Sequence, residues 1–128
     1  MKCVDTDFLI AVLRGDQSAI PVIEELDREK IRFTTVINAF ELYAGAYYTG
    51  KKAVEESKNL LSKFHIINFD DTCAEKAGEI FATLKKKGMS LDVRDVMIAA
   101  VASNYDLTLI TRNVKHFSRI EGLKVKSW

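Results

Sequence analysis

Proline is nearly absent from this chain, with Pro21 the sole example, so long proline-rich linkers between separate domains are excluded. Cysteine is scarce as well: Cys3 and Cys73 stand alone, without the paired spacing of a metal knuckle or the density of a disulfide scaffold. Both read as small buried apolar residues kept reduced. Histidine is limited to His65 and His116, too isolated for a zinc site, and neither an HExxH run nor a glycine-rich phosphate loop occurs. His65 opens an apolar run and reads as structural, whereas His116 lies close enough to Asn113 to face a shared site. No apolar run approaches the roughly 18 residues of a membrane span. Met1-Lys2 leads almost at once to acids, so no secretory leader is expected, and the reading is of a cytoplasmic protein. Charge of one sign is also lacking. The formal net charge of +1 does not announce a nucleic-acid binder, and any basic surface has to be local.

What the chain does have is core material. Its 128 residues are 48% hydrophobic, which argues against disorder and for one domain spanning residues 1–128. Short apolar runs alternate with helical patterns, the signature of an α/β fold. Strands are expected at Cys3-Val4, Ile31–Thr34, Ile66–Phe69, Leu107–Ile110 and Leu123–Lys126. Helices are expected at about 8–13, 19–29, 35–48, 51–63, 73–87 and 92–105. Asp16-Gln17-Ser18 supplies capping chemistry for the second helix, Asp71 or Thr72 for the fifth, and Gly88 ends the latter.

Three acids stand out. Asp5 falls where the first strand stops, and the carboxyl end of a buried strand is where parallel sheets hold ligands. Glu41 is the only charged residue between Phe33 and Gly50. Its neighbours at helical spacing, Ile37, Ala44, Gly45 and Tyr48, are apolar or small, which points it to the interior or a cleft. There it must be protonated, bound to a metal, or paired with a base such as Arg94 or Arg112. Asp95 lies in the first turn of the sixth helix. Each acid has a plainer reading: Asp5 or Asp7 caps the first helix, and Asp92-x-x-Asp95 is a capping box. Together they favour a site for Mg²⁺ or Mn²⁺, cations that take hard oxygen ligands and support phosphoryl chemistry. Thr111 and Asn113 follow the fourth strand and can reach the same crevice. From residue 111 onward, Arg112, Lys115, Arg119, Lys124 and Lys126 oppose only Glu121, a candidate phosphate-backbone grip.

Four stretches carry a resemblance: Val4–Ile10, Asn38–Gly45, Asp95–Ala100 and Leu109–Phe117. In order and spacing they resemble the four motifs of PIN-domain proteins, most of all the VapC-type toxin ribonucleases, over nearly the whole chain. The resemblance implies a three-layer α/β/α fold around a central parallel sheet of four to five strands. It also implies Mg²⁺- or Mn²⁺-dependent cleavage of RNA, a homodimer and a VapB-type antitoxin partner. By position, Asp5 and Asp95 match the metal-binding aspartates, and Glu41 matches the glutamate of the third helix. Asn113 falls in the fourth motif, where many members carry a further acid; here Asn113 and His116 occupy those places. That departure bears on a second metal and keeps open a degenerate PIN fold that only binds. A phosphoacceptor receiver domain, with Asp70 and Thr111 in its key places, is a more distant alternative.

Overall fold

A computed structural model describes the whole chain, Met1–Trp128. Its centre is a five-stranded parallel sheet with strand order β3-β2-β1-β4-β5, formed by β1 (Lys2–Val4), β2 (Phe33–Thr35), β3 (His65–Ile67), β4 (Thr108–Ile110) and β5 (Val125–Lys126). The strands are short, and every one is joined to the next through helical segments. These are α1 (Thr6–Leu13), α2 (Ile20–Asp27), α3 (Val36–Thr49), α4 (Lys51–Leu61), α5 (Asp71–Lys86), α6 (Val93–Asn104) and α7 (Val114–Phe117).

The order of strands dictates the layers. From β1 to β3 the chain steps one way across the sheet; from β3 it returns past β1 and steps the other way. Parallel crossovers are right-handed, so a reversal of direction moves the connecting helices to the opposite face. The buried side chains divide accordingly. Phe8, Leu9, Val22, Leu26, Leu60 and Leu61, from α1, α2 and α4, share one core with Val4 and Ile110. Cys73, Ile80, Leu84, Ile98, Val101 and Phe117, from α5, α6 and α7, share the other with Cys3 and Leu109. Adjacent strand residues thus serve opposite layers, as the two-residue period of a strand requires. Helix α3 contributes to both, Ile37 to one core and Ala39 and Leu42 to the other. Cys3 and Cys73 are free and buried, as their isolation in the sequence suggested.

Several boundaries depart from the sequence reading. The first helix starts at Thr6 rather than residue 8, because Asp5 is itself its N-cap. Asp16 caps a single 3₁₀ turn, Gln17–Ala19, and α2 begins only after it, with Pro21 in its first turn. Strand β2 ends one residue later than expected, and β3 lies at His65–Ile67 rather than 66–69. Asp70, not Asp71 or Thr72, caps α5, accepting from the Cys73 N–H at 3.0 Å. The short α7 had no sequence signal of its own. The expected stop at Gly88 holds: its φ of +69° permits the bond from the Met89 N–H to the Leu84 carbonyl that closes α5.

Helix α6 is the most enclosed. Ile98 to Ala102 are all 0% exposed, so this half of the helix is surrounded rather than half-buried. Val93, although at helical spacing from Val96, Met97, Ala100 and Val101, is exposed. Truncating Ile98 to Ala should therefore cost about 2–5 kcal/mol in unfolding free energy, measurable by urea denaturation. Val93→Ala, on the exposed first turn, should shift stability by no more than about 0.5 kcal/mol.

Candidate metal and nuclease site

The reversal of direction in the sheet falls between β1 and β4, and at such a switch point the loops diverge and leave a crevice. Asp5 follows β1 directly and Thr111 follows β4 directly, so they flank it. The Asp5 backbone N–H donates to the Ile110 carbonyl at 3.0 Å, extending the ladder to the edge of the crevice.

Asp5 is 5% exposed and hydrogen-bonded on both oxygens. Its Oδ1 accepts from the Thr6 N–H at 2.8 Å and from the Asn38 amide at 2.9 Å; its Oδ2 accepts from the Thr111 hydroxyl at 2.7 Å. The capping reading of Asp5 is thus correct but incomplete, since the same carboxylate also ties three elements together. Burial is the main influence on its acidity. It pushes the carboxyl up to about 6, with Asp7 and Asp95 adding to the rise and the bonds from Thr111 and Thr6 opposing it.

Asn38 fixes much of this geometry. It is 0% exposed, and its carbonyl oxygen accepts from the Thr35 hydroxyl at 2.7 Å within the capping box that opens α3. The amide nitrogen is thereby turned to Asp5 and to the Thr6 hydroxyl, the latter at 2.8 Å. Thr6 passes the connection on, donating to Glu41 Oε1 at 2.7 Å. Asp5 and Glu41 are therefore linked through Asn38 and Thr6 rather than simply lying near one another. Neither Thr6 nor Asn38 was singled out as a site residue from sequence. The available signal was spacing: Asn38 precedes Glu41 by one helical turn on the same face, and Thr6 follows Asp5 directly.

Glu41 differs from expectation. Its side chain is only partly exposed, but the face beyond it opens to solvent, with Ala44 and Gly45 exposed and Tyr48 at 95%. Of the fates open to Glu41, pairing with Arg94 is present, Nη1 lying 3.6 Å from Oε2. The pair is long, and Arg94 is also held by Asp92 at 3.2 Å, so it contributes little. A groove of about 360 Å³, lined by residues of α1, α3 and α4, opens at Glu41.

Asp95 is half-buried and does not complete a capping box. Asp92 caps α6 alone, accepting from the Arg94 N–H, and the Asp95 carboxylate takes no part in the cap. Burial, then Asp92 and Glu41, push its carboxyl above the usual range, against the pull of His116 and Arg94. The mutual influence of Asp5, Asp95 and Glu41 places them in one electrostatic neighbourhood. They do not form a closed cage: no three His, Cys, Asp or Glu side chains are gathered at ligating distance. Such a donor set suits Mg²⁺, which takes one or two carboxylates and fills its shell with water and phosphate oxygens. Asn113 is exposed; its backbone N–H donates to the Thr111 hydroxyl at 3.1 Å.

The basic run after residue 111 is not the patch its sequence suggested. Arg112 pairs with Asp16 at 3.4 Å, Lys124 with Asp106 at 2.8 Å and Lys126 with Glu25 at 3.0 Å. Lys115 and Arg119 remain without a carboxylate partner. His65, by contrast, matches its structural reading, stacking edge-on against Phe33 with centroids 5.5 Å apart.

The PIN domain family model matches residues 2–123. The chain belongs to the PIN domain family. It is 36% identical to "Ribonuclease VapC2" of Rickettsia felis, over 98% of this chain and 96% of that protein. It is 30% identical to the "tRNA(fMet)-specific endonuclease VapC" of Salmonella typhimurium, with the same two coverages. Among solved structures, a chain of the Rickettsia felis VapBC2 complex bound to a promoter DNA fragment superposes with a TM-score of 0.91. That match has 27% identity and covers 99% of this chain and 98% of that one. The three-layer, parallel-sheet architecture implied by the sequence resemblance is thus the observed one. Within this PIN fold Asp5 and Glu41 are joined through Asn38 and Thr6, and Asp95 lies near enough to be influenced by Glu41 and to influence Asp5; Thr111 is bonded to Asp5, with Asn113 two residues further on.

The raised pKa of Asp5 has a consequence for stability. A carboxyl whose folded-state value lies above its unfolded value stabilises the fold most when both states are protonated, and that contribution is lost as pH rises through the folded value. In metal-free protein the loss develops between about pH 4 and pH 6 and persists above it. Asp5→Asn should therefore raise unfolding free energy at pH 8 by about 1–3 kcal/mol. The gain should shrink to near zero by pH 4. Denaturation across that pH range checks it; a gap that does not narrow with acid would show that Asp5 carries no such burden.

Proposed function

We propose that the chain is a Mg²⁺- or Mn²⁺-dependent endoribonuclease, the toxin member of a VapBC-type toxin–antitoxin pair, acting as a single domain over residues 1–128. One observation carries the reading: a desolvated aspartate at the switch point of a PIN fold, beside two further carboxylates, with no cationic side chain of its own. Likeness to proteins named as VapC ribonucleases over nearly the full chain supports the reaction class.

The residues divide the work as follows. Asp5 and Asp95 hold the cation, Asp5 in an orientation fixed by Asn38 and Thr111. Glu41, steadied at one oxygen by Thr6 and in weak contact with Arg94 through the other, would help to hold the cation or orient the attacking water. When bound, the cation supplies a nucleophile at neutral pH and offsets the charge that builds on the phosphate. Asn113, exposed at the rim, orients the RNA phosphate or a water. Lys115 and Arg119 are the remaining basic contacts for the backbone. No helix is long and apolar enough to cross a membrane, and the setting we infer is the cytoplasm, as part of a homodimer. A VapB-type antitoxin is the inferred protein partner. A segment of it lying in the groove at Glu41 would bring a basic side chain to the carboxylates and neutralise them in place of the cation.

The alternative of a binding-only PIN fold is favoured by one feature, the absence of a closed ligand cage together with Asn113 in place of an acid. Titration with Mn²⁺ separates the two, since an inert fold should bind none specifically. The receiver-domain alternative falls with the family. Its phosphoacceptor candidate, Asp70, is the cap of α5 and accepts from the Tyr105 hydroxyl at 2.8 Å.

On a total RNA pool, the purified chain should cleave in Mg²⁺ or Mn²⁺ and stop in EDTA. Asp95→Asn and Glu41→Gln should each reduce cleavage on the order of 100-fold while leaving the fold intact by circular dichroism. Wild-type cleavage by Glu41→Gln would remove that residue from the site.

A further inference from the structure

Arg112 makes more contacts than its exposed position suggests. Its guanidinium lies over the ring of Trp128, 3.7 Å from the centroid. The same group donates to the Ser18 hydroxyl at 2.6 Å and reaches Asp16 at 3.4 Å, while its backbone N–H donates to Asp7 Oδ2 at 3.1 Å. Trp128 in turn meets the Phe8 ring edge-on, with centroids 5.4 Å apart. The indole N–H is buried and has no hydrogen-bond partner. The ring therefore acts through its faces and edges alone. Arg112 is sandwiched between this ring and the Asp16–Ser18 turn, and on the strand-end loop it lies between Thr111 and Asn113.

That placement matters because Thr111 is the only group bonded to Asp5 Oδ2, whereas Oδ1 has two donors. The loop that carries Thr111 is itself free of regular structure between β4 and α7. Whatever fixes the loop, together with the Thr111 N–H bond to the Lys126 carbonyl at 3.0 Å, fixes the donor to Asp5 Oδ2. We propose that Trp128 and Arg112 form an aromatic clamp that positions Thr111, and through it the Asp5 carboxylate, for cation binding; both are positioning residues, remote from the reacting atoms. The proposal deepens the ribonuclease reading and rests on it for its consequence, though the clamp itself can be tested separately.

Two backbone amides report directly on the clamp. The Arg112 N–H bonds to Asp7 and the Asn113 N–H to the Thr111 hydroxyl, so their hydrogen exchange follows the loop. In Trp128→Ala both should exchange faster while amides of α6 keep their protection. Mn²⁺ affinity by calorimetry should weaken by about 10- to 100-fold, the usual effect of losing a group that orients a metal ligand. The turnover number on RNA should fall in parallel with little change in KM. Trp128→Phe should restore all three, because the unused indole N–H is the only polar group it removes. Arg112→Lys should resemble Trp128→Ala, since an ammonium cannot stack as a planar guanidinium does. Trp128 is the only tryptophan, so its emission should also shift in Arg112→Lys.

Unchanged exchange at both amides in Trp128→Ala would overturn the clamp. So would faster exchange with wild-type Mn²⁺ affinity, or a uniform loss of protection throughout the fold. If the wild-type chain itself neither binds Mn²⁺ nor cleaves RNA, the ribonuclease reading fails instead. The exchange at the two amides then decides the clamp alone: faster supports it, unchanged ends it.

Discussion

The arrangement depends on keeping one carboxylate, Asp5, where water cannot reach it. Removing an ionised group from solvent is unfavourable unless hydrogen bonds replace the lost hydration. Here three elements contribute to that replacement: the N-terminus of α1 through Thr6, the start of α3 through Asn38, and the end of β4 through Thr111. The bonds lower the cost without cancelling it, since the carboxyl remains raised to about 6. The fold thus holds a negative group in a state that would be relieved by an added positive charge. A desolvated carboxylate of this kind costs the fold stability and, in the proposed function, would favour a cation, the usual trade between stability and function.

The sheet order is what makes this possible. In a sheet that stepped in one direction only, the loops after neighbouring strands would all pass to the same side and close over the strand ends. The reversal at β1 and β4 sends α1 to one face and α7 to the other, so the carboxyl ends of the two central strands stay open. Helix α3, contributing Ile37 to one core and Leu42 to the other, brings Asn38 and Glu41 to the same end. The residues of the crevice therefore come from distant parts of the chain but from elements whose positions are fixed by two independent cores. Rigid supports of this kind favour a site whose first ligands must already be oriented before a cation arrives.

Much of this was legible in the sequence because it rests on local signals. Alternating strand and helix patterns give the α/β class, and an acid at the end of the first apolar run is visible without a structure. Glu41 stood out because no other charge occurs from Phe33 to Gly50. What stayed hidden depends on contacts across the chain. Asn38 is unremarkable as a residue in a helix; its importance comes from a carbonyl turned to Thr35, which aims its amide at Asp5. The basic run after Thr111 looked like a nucleic-acid grip because its acids, Asp16, Glu25 and Asp106, lie far away in sequence. Helix α7, at four residues, is too short to show a period. Val93 fits a helical stripe and is nonetheless exposed, because the stripe says which side faces inward only where another element covers it.

The pairing of those basic residues changes how a polyanion can approach. With Arg112, Lys124 and Lys126 each facing a carboxylate, the surface near the crevice lacks a broad positive field, and the crevice itself is acidic. A phosphate backbone entering unaided would meet Asp95 with Arg94 and His116 to offset it, and Asp5 and Glu41 close by. Like charges brought together at low dielectric repel strongly, so the approach is unfavourable until a divalent cation occupies the carboxylates. On the proposed reading, a bound cation would reverse the local sign and supply the attraction that the side chains do not. On that reading the order of binding, cation before RNA, would follow from the charge distribution rather than from any moving part. The same logic makes a basic peptide side chain an effective competitor, since it satisfies the carboxylates without offering the coordination that phosphate needs.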